Sequence, residues 1–203
     1  MNRCAIVSGG DYSPLTKIEE CDFVIACDKG YSYCKENNIK ADLVIGDFDS
    51  YDGDIPDDIE TIRLPVMKDD TDTMHAYRYA VEKGFKEIYL YCALGGRFDH
   101  LLANMQCAIY GARNNISTYI YSKKNEVLVT NDNHIVINKK ENYSLSVFAA
   151  DLCKDVKITG ALYETDHIDL DNSFPLGVSN VFIKDEVTIE KKSGVIIIVL
   201  SLL

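Results

Sequence analysis

The first half of the chain repeats one pattern, in which a short apolar run stops at glycine and aspartate before a more polar segment. Residues 4–8, 23–27 and 43–45 all end this way. Strands alternating with helical segments predict βαβ units and a mostly parallel sheet. The carboxyl ends of parallel strands lie at one edge, where open α/β sheets bind ligands. The acidic residues at those ends are therefore expected to converge.

Between these runs, the spacing of apolar residues predicts helices. Residues 72–83 and 99–110 carry apolar side chains on one helical stripe, and Gly84 stands where a helix C-cap belongs. Residues 31–37 also fit a short helix. Further strands are predicted at residues 59–64, 87–92 and 117–121.

After about residue 123 the helical periodicity disappears, and short β-rich segments follow one another between polar turns. Strands are predicted at residues 126–130, 134–138, 143–149, 156–160, 178–183, 187–190 and 195–200. Seven such segments are typical of a β-sandwich. The prediction is an N-terminal α/β domain, residues 1–122, followed by an all-β sandwich, residues 123–203.

The composition of the chain argues against nucleic acid and membrane as binding partners. The chain has 203 residues, 47% of them apolar, and a formal net charge of −11, so the basic footprint of a nucleic-acid-binding protein is missing. The apolar run at residues 195–203 is far shorter than the ~20 residues of a membrane-spanning helix. Seven cysteines form no CxxC pair, and no secretory signal is evident, which predicts reduced thiols in a cytoplasmic protein.

Three acidic clusters mark the predicted edge of the sheet. They are Gly46-Asp47-Phe48-Asp49-Ser50, Lys68-Asp69-Asp70-Thr71-Asp72 and Gly95-Gly96-Arg97-Phe98-Asp99-His100. Any one aspartate has a simpler interpretation as a turn or helix-cap residue. Gathered at one edge, however, the carboxylates would repel one another unless a cation neutralised them. Asp47 and Asp49 are spaced to share one Mg²⁺ ion.

Other residues of these clusters suit an anionic ligand. Lys68 and Arg97 are suited to contact phosphate oxygens, or else form surface ion pairs. The backbone N–H groups near Gly9 and Gly96 are unobstructed and suit a phosphate. His100 is a candidate for proton transfer, although a structural role in the first helical turn is the simpler interpretation.

A metal-rich, phosphate-binding cleft without a Ser-His or Cys-His constellation favours phosphoryl or pyrophosphoryl transfer. Two other classes remain open on the residues alone. One is a different Mg²⁺-dependent phosphotransferase or a phosphohydrolase, and the other is a regulator that binds a nucleotide or its acceptor without turnover.

In this order, the three clusters resemble the motifs of thiamine pyrophosphokinases, as do Gly160-x-Leu-Tyr163 and Gly177-x-Ser-Asn180 in the β-rich half. The resemblance covers nearly the whole chain. It implies transfer of pyrophosphate from ATP to thiamine, giving thiamine diphosphate and AMP, with Mg²⁺ required. It also implies a homodimer whose active sites lie between the α/β domain of one subunit and the sandwich of its partner.

Site residues follow from the resemblance, motif by motif. The implied catalytic residues are Asp47, Asp49, Asp72 and Asp99, of which the first three hold the metal. The implied ATP- and phosphate-binding residues are Gly9, Asp28, Lys68, Asp69, Thr71, Gly96, Arg97 and His100. Ser179 and Asn180 would bind thiamine. Either Asp72 or Asp99 would accept the proton of the alcohol. Because the chain has no tryptophan, stacking on thiamine would need a tyrosine or phenylalanine such as Phe174 or Phe182, although a core position is the simpler interpretation of either residue.

Overall fold

The chain divides into two compact units, Met1–Lys123 and Lys124–Leu203. The structure of the chain is a computed structural model, which describes residues 2–48, 51, 53–65, 67 and 69–203. Asp49 and Lys68, both predicted site residues, lie outside the described residues. Across the described chain, none of the helices combines the length and hydropathy that a membrane crossing requires.

The first unit is a parallel sheet with three α-helices. Its strands are Arg3–Val7 (β1), Phe23–Cys27 (β2), Leu43–Gly46 (β3), Glu60–Arg63 (β4), Glu87–Tyr91 (β5) and Ser117–Tyr121 (β6); its helices are Gly30–Glu36 (α1), Asp72–Lys83 (α2) and Phe98–Arg113 (α3). The strand order is β6-β5-β1-β2-β3-β4, and every pair is parallel. The predicted α/β fold is confirmed.

The sequence dictates these elements in a simple way. Strands β1, β2, β3 and β5 are buried almost throughout, as expected for parallel strands covered on both faces. Helix α2 begins where the Thr71 side chain accepts a hydrogen bond from the Met74 N–H at 3.1 Å. It ends at Gly84, whose φ of 78° is left-handed, as the sequence predicted.

Strand order places a topological switch point beside β1. The chain adds β2, β3 and β4 on one side of β1 and then returns to add β5 and β6 on the other. Beyond the strand ends, the Ser8 N–H donates to the Tyr91 carbonyl and the Gly10 N–H to the Cys92 carbonyl, each at 3.0 Å. A crevice at the carboxyl ends of such strands is where open α/β sheets bind ligands.

The second unit is all β. Its strands are Asn125–Thr130 (β7), His134–Asn138 (β8), Tyr143–Ala149 (β9), Leu152–Thr159 (β10), Thr165–Asp171 (β11), Gly177–Asn180 (β12), Glu186–Glu190 (β13) and Ile196–Leu202 (β14). They pair antiparallel in the orders β12-β9-β14-β7 and β11-β10-β13-β8. One core joins Leu145 and Ile198 of the first set to Val156 and Ile189 of the second. This is the predicted sandwich.

Three strands of the second unit differ from the sequence prediction. Strand β10 begins at Leu152, four residues before the predicted start, because its first residues alternate in exposure without an apolar run. Strand β11 was missed because only Leu170 of its seven residues is buried, and an exposed edge strand lacks an apolar alternation. Strand β12 is shorter than the predicted 178–183, since Ser179 takes a left-handed φ of 57° and the register with β9 shifts there.

Candidate active site

Three aspartates from different elements meet at the carboxyl edge of the sheet. Asp28 follows β2, Asp47 follows β3, and Asp72 opens α2. The side chains of Asp28 and Asp72 are hydrogen-bonded, and Asp47 is close enough to act on Asp28 through its charge. Asp28 Oδ1 also accepts a hydrogen bond from the Phe48 N–H at 3.0 Å. Of the cluster aspartates that were predicted to converge, Asp47 and Asp72 thus both act on Asp28, a residue outside those clusters.

Gly46 makes this approach possible. A Cβ atom at position 46 would lie 1.7 Å from Asp28 Oδ1, well inside any permitted contact. The glycine before Asp47 therefore provides the space into which the neighbouring carboxylate packs. Asp28 itself adopts a left-handed φ of 46°, which short polar side chains tolerate.

The crowding changes the acidity of Asp28. Burial is the main cause, followed by the hydrogen bond to Asp72 and the nearby charges of Asp72 and Asp47; together they raise the pKa of Asp28 to about 7. The Phe48 N–H opposes the shift. At neutral pH Asp28 therefore retains part of its proton, and a bound cation would favour the release of that proton.

Two glycine-containing loops lie at the switch point. Gly95 and Gly96 have φ angles of 102° and 65°, and a Cβ on Gly95 would lie 2.8 Å from Asp11 Oδ2 of the loop after β1. Asn104 of α3 is buried and donates to the Ala93 carbonyl at 2.9 Å, which fixes the second loop. Both loops expose backbone at the edge where a phosphate was predicted to bind.

Helix α2 is joined to the first of these loops. The hydroxyls of Ser8 and Thr73 are both buried and lie 2.8 Å apart. This bond holds the start of α2, and with it Asp72, beside the end of β1. Asp11, Thr73 and Asn104 were not among the predicted site residues. Their only signal in the sequence is proximity to glycines and to cluster residues that were predicted.

Arg97 and Asp99 form an exposed pair. Arg97 Nη2 lies 2.6 Å from Asp99 Oδ2, and its Nε donates to Oδ1 at 3.1 Å. The Arg97 guanidinium, chiefly through this hydrogen bond, lowers the pKa of Asp99 to about 2. The His100 N–H also donates to Asp99 Oδ1, at 3.0 Å. A ligand phosphate at Arg97 would compete with Asp99 for the guanidinium.

The remaining residues of the second cluster have different environments. Asp69 is exposed. Asp70 forms an ion pair with Arg78 at 2.5 Å, and Thr71 caps α2. Among the described residues, no three His, Cys, Asp or Glu side chains form a group that would hold a metal ion by themselves.

In the second unit, the two predicted thiamine-binding residues have different surroundings. Ser179 is exposed, and its N–H donates to Ser146 Oγ at 3.0 Å. Asn180 is 5% exposed, and its amide is engaged on both sides by the backbone of Tyr163, at 2.9 Å and 2.8 Å. Asn180 thus joins β12 to the connection that follows β10.

Two cavities accompany these features. One, of about 580 Å³, lies beside the end of β3 and is lined by Phe48, Tyr51 and Arg63 among others. The other, of about 360 Å³, lies in the sandwich and is lined in part by Phe174 and Leu176. Phe174 is 67% exposed, whereas Phe182 is a core residue at 7%. Of the two predicted stacking residues, only Phe174 is accessible.

An open α/β sheet with carboxylates and glycine loops at its switch point, followed by a β-sandwich, defines a two-domain α/β protein of the class that binds its ligand at the carboxyl edge of the sheet. The family model described as "Thiamin pyrophosphokinase, catalytic domain" matches residues 15–120, and "Thiamin pyrophosphokinase, vitamin B1 binding domain" matches residues 132–196. This chain belongs to the thiamin pyrophosphokinase family.

Individual relatives agree with this membership. The chain is 28% identical to the thiamine pyrophosphokinase of Bacillus subtilis over 214 residues, which cover 99% of each chain. The crystal structure of a thiamine pyrophosphokinase from Bacillus subtilis has a TM-score of 0.85 at 25% identity, with 99% of each chain covered. That from Geobacillus thermodenitrificans has a TM-score of 0.81 at 23% identity, covering 98% of this chain and 97% of its own, and shows likeness of fold.

Proposed function

We propose that this chain transfers a pyrophosphoryl group from ATP to the hydroxyethyl oxygen of thiamine, giving thiamine diphosphate and AMP. Membership of the family supports the reaction. The observation that supports the position of the site is the meeting of Asp28, Asp47 and Asp72 at the carboxyl edge of the sheet, beside the glycine loops. Thiamine carries a permanent positive charge, which an acidic edge favours.

The donor set suits Mg²⁺. This ion takes one or two protein carboxylates and completes its shell with water and substrate phosphates, so a cage of three protein ligands is not required. We assign Asp47, Asp72 and Asp49 as the carboxylates that would hold it. When bound, the ion would neutralise charge on the phosphate oxygens of ATP. The raised pKa of Asp28 is the kind of electrostatic cost that such an ion would offset.

The remaining predicted residues keep their roles as proposals. Contacts to ATP are assigned to the sequence-predicted set Gly9, Asp28, Lys68, Asp69, Thr71, Gly96, Arg97 and His100. Of the two candidate bases, Asp99 is the weaker proton acceptor because Arg97 lowers its pKa to about 2. We therefore favour Asp72 as the group that receives the proton from the hydroxyl of thiamine.

Thiamine binding is assigned to the sandwich unit, residues 123–203 in the sequence prediction, and ATP binding to residues 1–122. The exposed Ser179 suits a direct contact with thiamine. The amide of Asn180 is occupied by the backbone of Tyr163, so its contribution would be to hold that backbone in place. Phe174, exposed beside the second cavity, is the accessible stacking partner for a flat cationic ring.

We also propose a cytoplasmic homodimer, with each active site completed by the partner subunit. An apolar face of the sandwich supports a subunit contact: Leu162, Tyr163, Val178, Val181 and Ile183 are each between 47% and 66% exposed. The Leu162 N–H donates to the Val181 carbonyl at 2.8 Å, which brings part of this face together. Side chains of this kind are typical of the buried centre of an interface.

Product analysis tests the reaction. The protein is incubated with ATP, Mg²⁺ and thiamine, and both products are identified by mass spectrometry. Thiamine diphosphate with an equal amount of AMP is expected. ADP with thiamine monophosphate would indicate a simple kinase, inorganic phosphate released without thiamine would indicate a hydrolase, and saturable binding without turnover would indicate a regulator.

A further inference from the structure

Lys29 stands at the switch-point crevice, in Asp28-Lys29-Gly30, where the family resemblance implies glycine at the middle position. It follows Asp28 at the carboxyl end of β2, and a Cβ on Gly9 would lie 3.4 Å from the Lys29 Cβ. The next residue, Gly30, has no room for a side chain, since a Cβ there would lie 2.0 Å from the Val7 carbonyl oxygen. This close approach places Lys29 directly against the loop after β1.

The ammonium group is held on the loop side. Its Nζ lies 5.5 Å from the centroid of the Tyr33 ring, a cation–π distance. The Tyr33 hydroxyl in turn donates to the Gly10 carbonyl at 2.9 Å, and the ring is buried. Tyr33 therefore fixes both the loop and the cation beside it, which limits the entropy that Lys29 would lose on binding a ligand.

The positive charge of Lys29 indicates that its ligand is an anion. Lys29 is exposed, and within the described ranges it forms no direct ion pair, while Asp11 and Glu36 act on it only through their charges. The carboxylates of Asp28, Asp47 and Asp72 lie at the same edge of the sheet, after β2, after β3 and at the start of α2. A polyphosphate would meet the carboxylates only through a metal ion, whereas on the glycine side it would meet an ammonium group and open backbone N–H groups directly.

We propose that Lys29, held over Tyr33, binds a phosphate oxygen of ATP and supplies a direct cationic contact beside the loop that follows β1. The inference rests on the proposed ATP site but not on the identity of the acceptor. Lys29 acts in binding: its removal raises the dissociation constant and the KM for ATP more than it lowers kcat.

The test is calorimetric titration with ATP and Mg²⁺, without thiamine, on the wild-type protein and on Lys29→Gln, Lys29→Arg and Lys83→Gln. Lys83 is the matched control because its Nζ also lies over a tyrosine ring, 5.1 Å from the centroid of Tyr79, but at the C-terminal end of α2. Losing one charge-assisted hydrogen bond should weaken ATP binding by roughly tenfold or more in Lys29→Gln. Lys29→Arg should stay within about threefold of wild type, and Lys83→Gln should bind as wild type does.

Each outcome of the titration either supports or overturns the role of Lys29 in ATP binding. Unchanged ATP affinity in Lys29→Gln, with or without a lower melting temperature, would show that the lysine only packs on Tyr33 and would overturn the inference. An equal loss in Lys83→Gln would overturn it as well. If wild-type protein binds ATP but forms no AMP with thiamine, the proposed reaction fails while the comparison at position 29 still stands. If wild-type protein binds no ATP, both fail.

Discussion

Asp28 is a half-buried carboxyl group whose folded-state pKa is raised from 3.8 to about 7. The unfolded chain therefore loses this proton at a lower pH than the native protein does. As pH rises from about 4 to 7, the native state binds more protons than the unfolded state, and stability falls. The penalty is complete above about pH 7 and absent below about pH 4.

We predict that Asp28→Asn stabilises the metal-free protein at pH 8. Full conversion of the pKa shift would overstate the gain because the group is partly exposed, so about 1–2 kcal/mol is expected. Urea unfolding at pH 8 and at pH 4, without divalent cations, measures this. The two proteins should have similar stability at pH 4. A variant that is less stable than wild type at pH 8 would show that Asp28 carries no such cost.

Asp47 is the described member of the Asp47–Asp49 pair, and its role is best tested by an isosteric change. We expect Asp47→Asn to lower kcat at least about a hundredfold while the melting temperature stays close to that of wild type, because a metal and charge-stabilising carboxylate is lost. Steady-state AMP formation is the measurement. Asp58→Asn, an exposed acidic residue of the β3–β4 connection that does not line the cavity beside β3, should keep near-normal activity. Near-normal turnover in Asp47→Asn would remove it from the site.

At the scale of elements, the helices were predictable because their signals are local. Thr71 and Gly84 mark both ends of α2, and the strand ends at glycine and aspartate set the sheet edge. Strand β11 was not predictable, since its pairing with β10 depends on residues distant in sequence and its own apolar pattern is weak. The contact between Asp28 and Asp72 was not predictable either, because it forms only when β2 and α2, which are distant in sequence, pack together.

Asn180 shows how a predicted binding residue can also act as a structural link between elements. We expect Asn180→Ala to lower the free energy of unfolding by about 2–3 kcal/mol, because the N–H groups of Tyr163 and Val181 lose their acceptor and the Tyr163 carbonyl loses its donor. Denaturant unfolding is the measurement. Asn172→Ala is the control, since the exposed Asn172 makes one side-chain bond, to the Ala150 carbonyl at 3.2 Å, and should cost less than about 1 kcal/mol. Wild-type stability with a raised KM for thiamine would instead indicate direct binding by Asn180.

At the scale of the whole molecule, family membership and fold class were accessible from sequence because five motifs occur in register along the chain. The state of assembly depends on surface shape, which a pattern of residue types does not describe. The apolar face of the sandwich became visible only when the exposure of residues such as Tyr163 and Ile183 was known. The dimer remains a prediction.

We expect sedimentation velocity to show a dimer at micromolar concentration. Ile183→Lys should shift the protein toward monomer, since a buried ammonium group would lack a partner in the interface, and AMP formation should fall with the dimer fraction. Val136→Lys is the control, because Val136 is a similarly exposed aliphatic residue on β8, a strand that contributes none of the residues of that face. A wild-type monomer with full activity would contradict the shared site.

The missing Cβ at Gly46 has a consequence for any redesign or transplantation of this protein. Positions 28 and 46 are eighteen residues apart, yet they share one small volume, because the carboxylate of one occupies the space that a side chain of the other would need. A larger residue at position 46 becomes acceptable only after position 28 has been shortened. The two positions therefore constrain each other, and an engineered scaffold has to keep Asp28 and Gly46 together or replace them together.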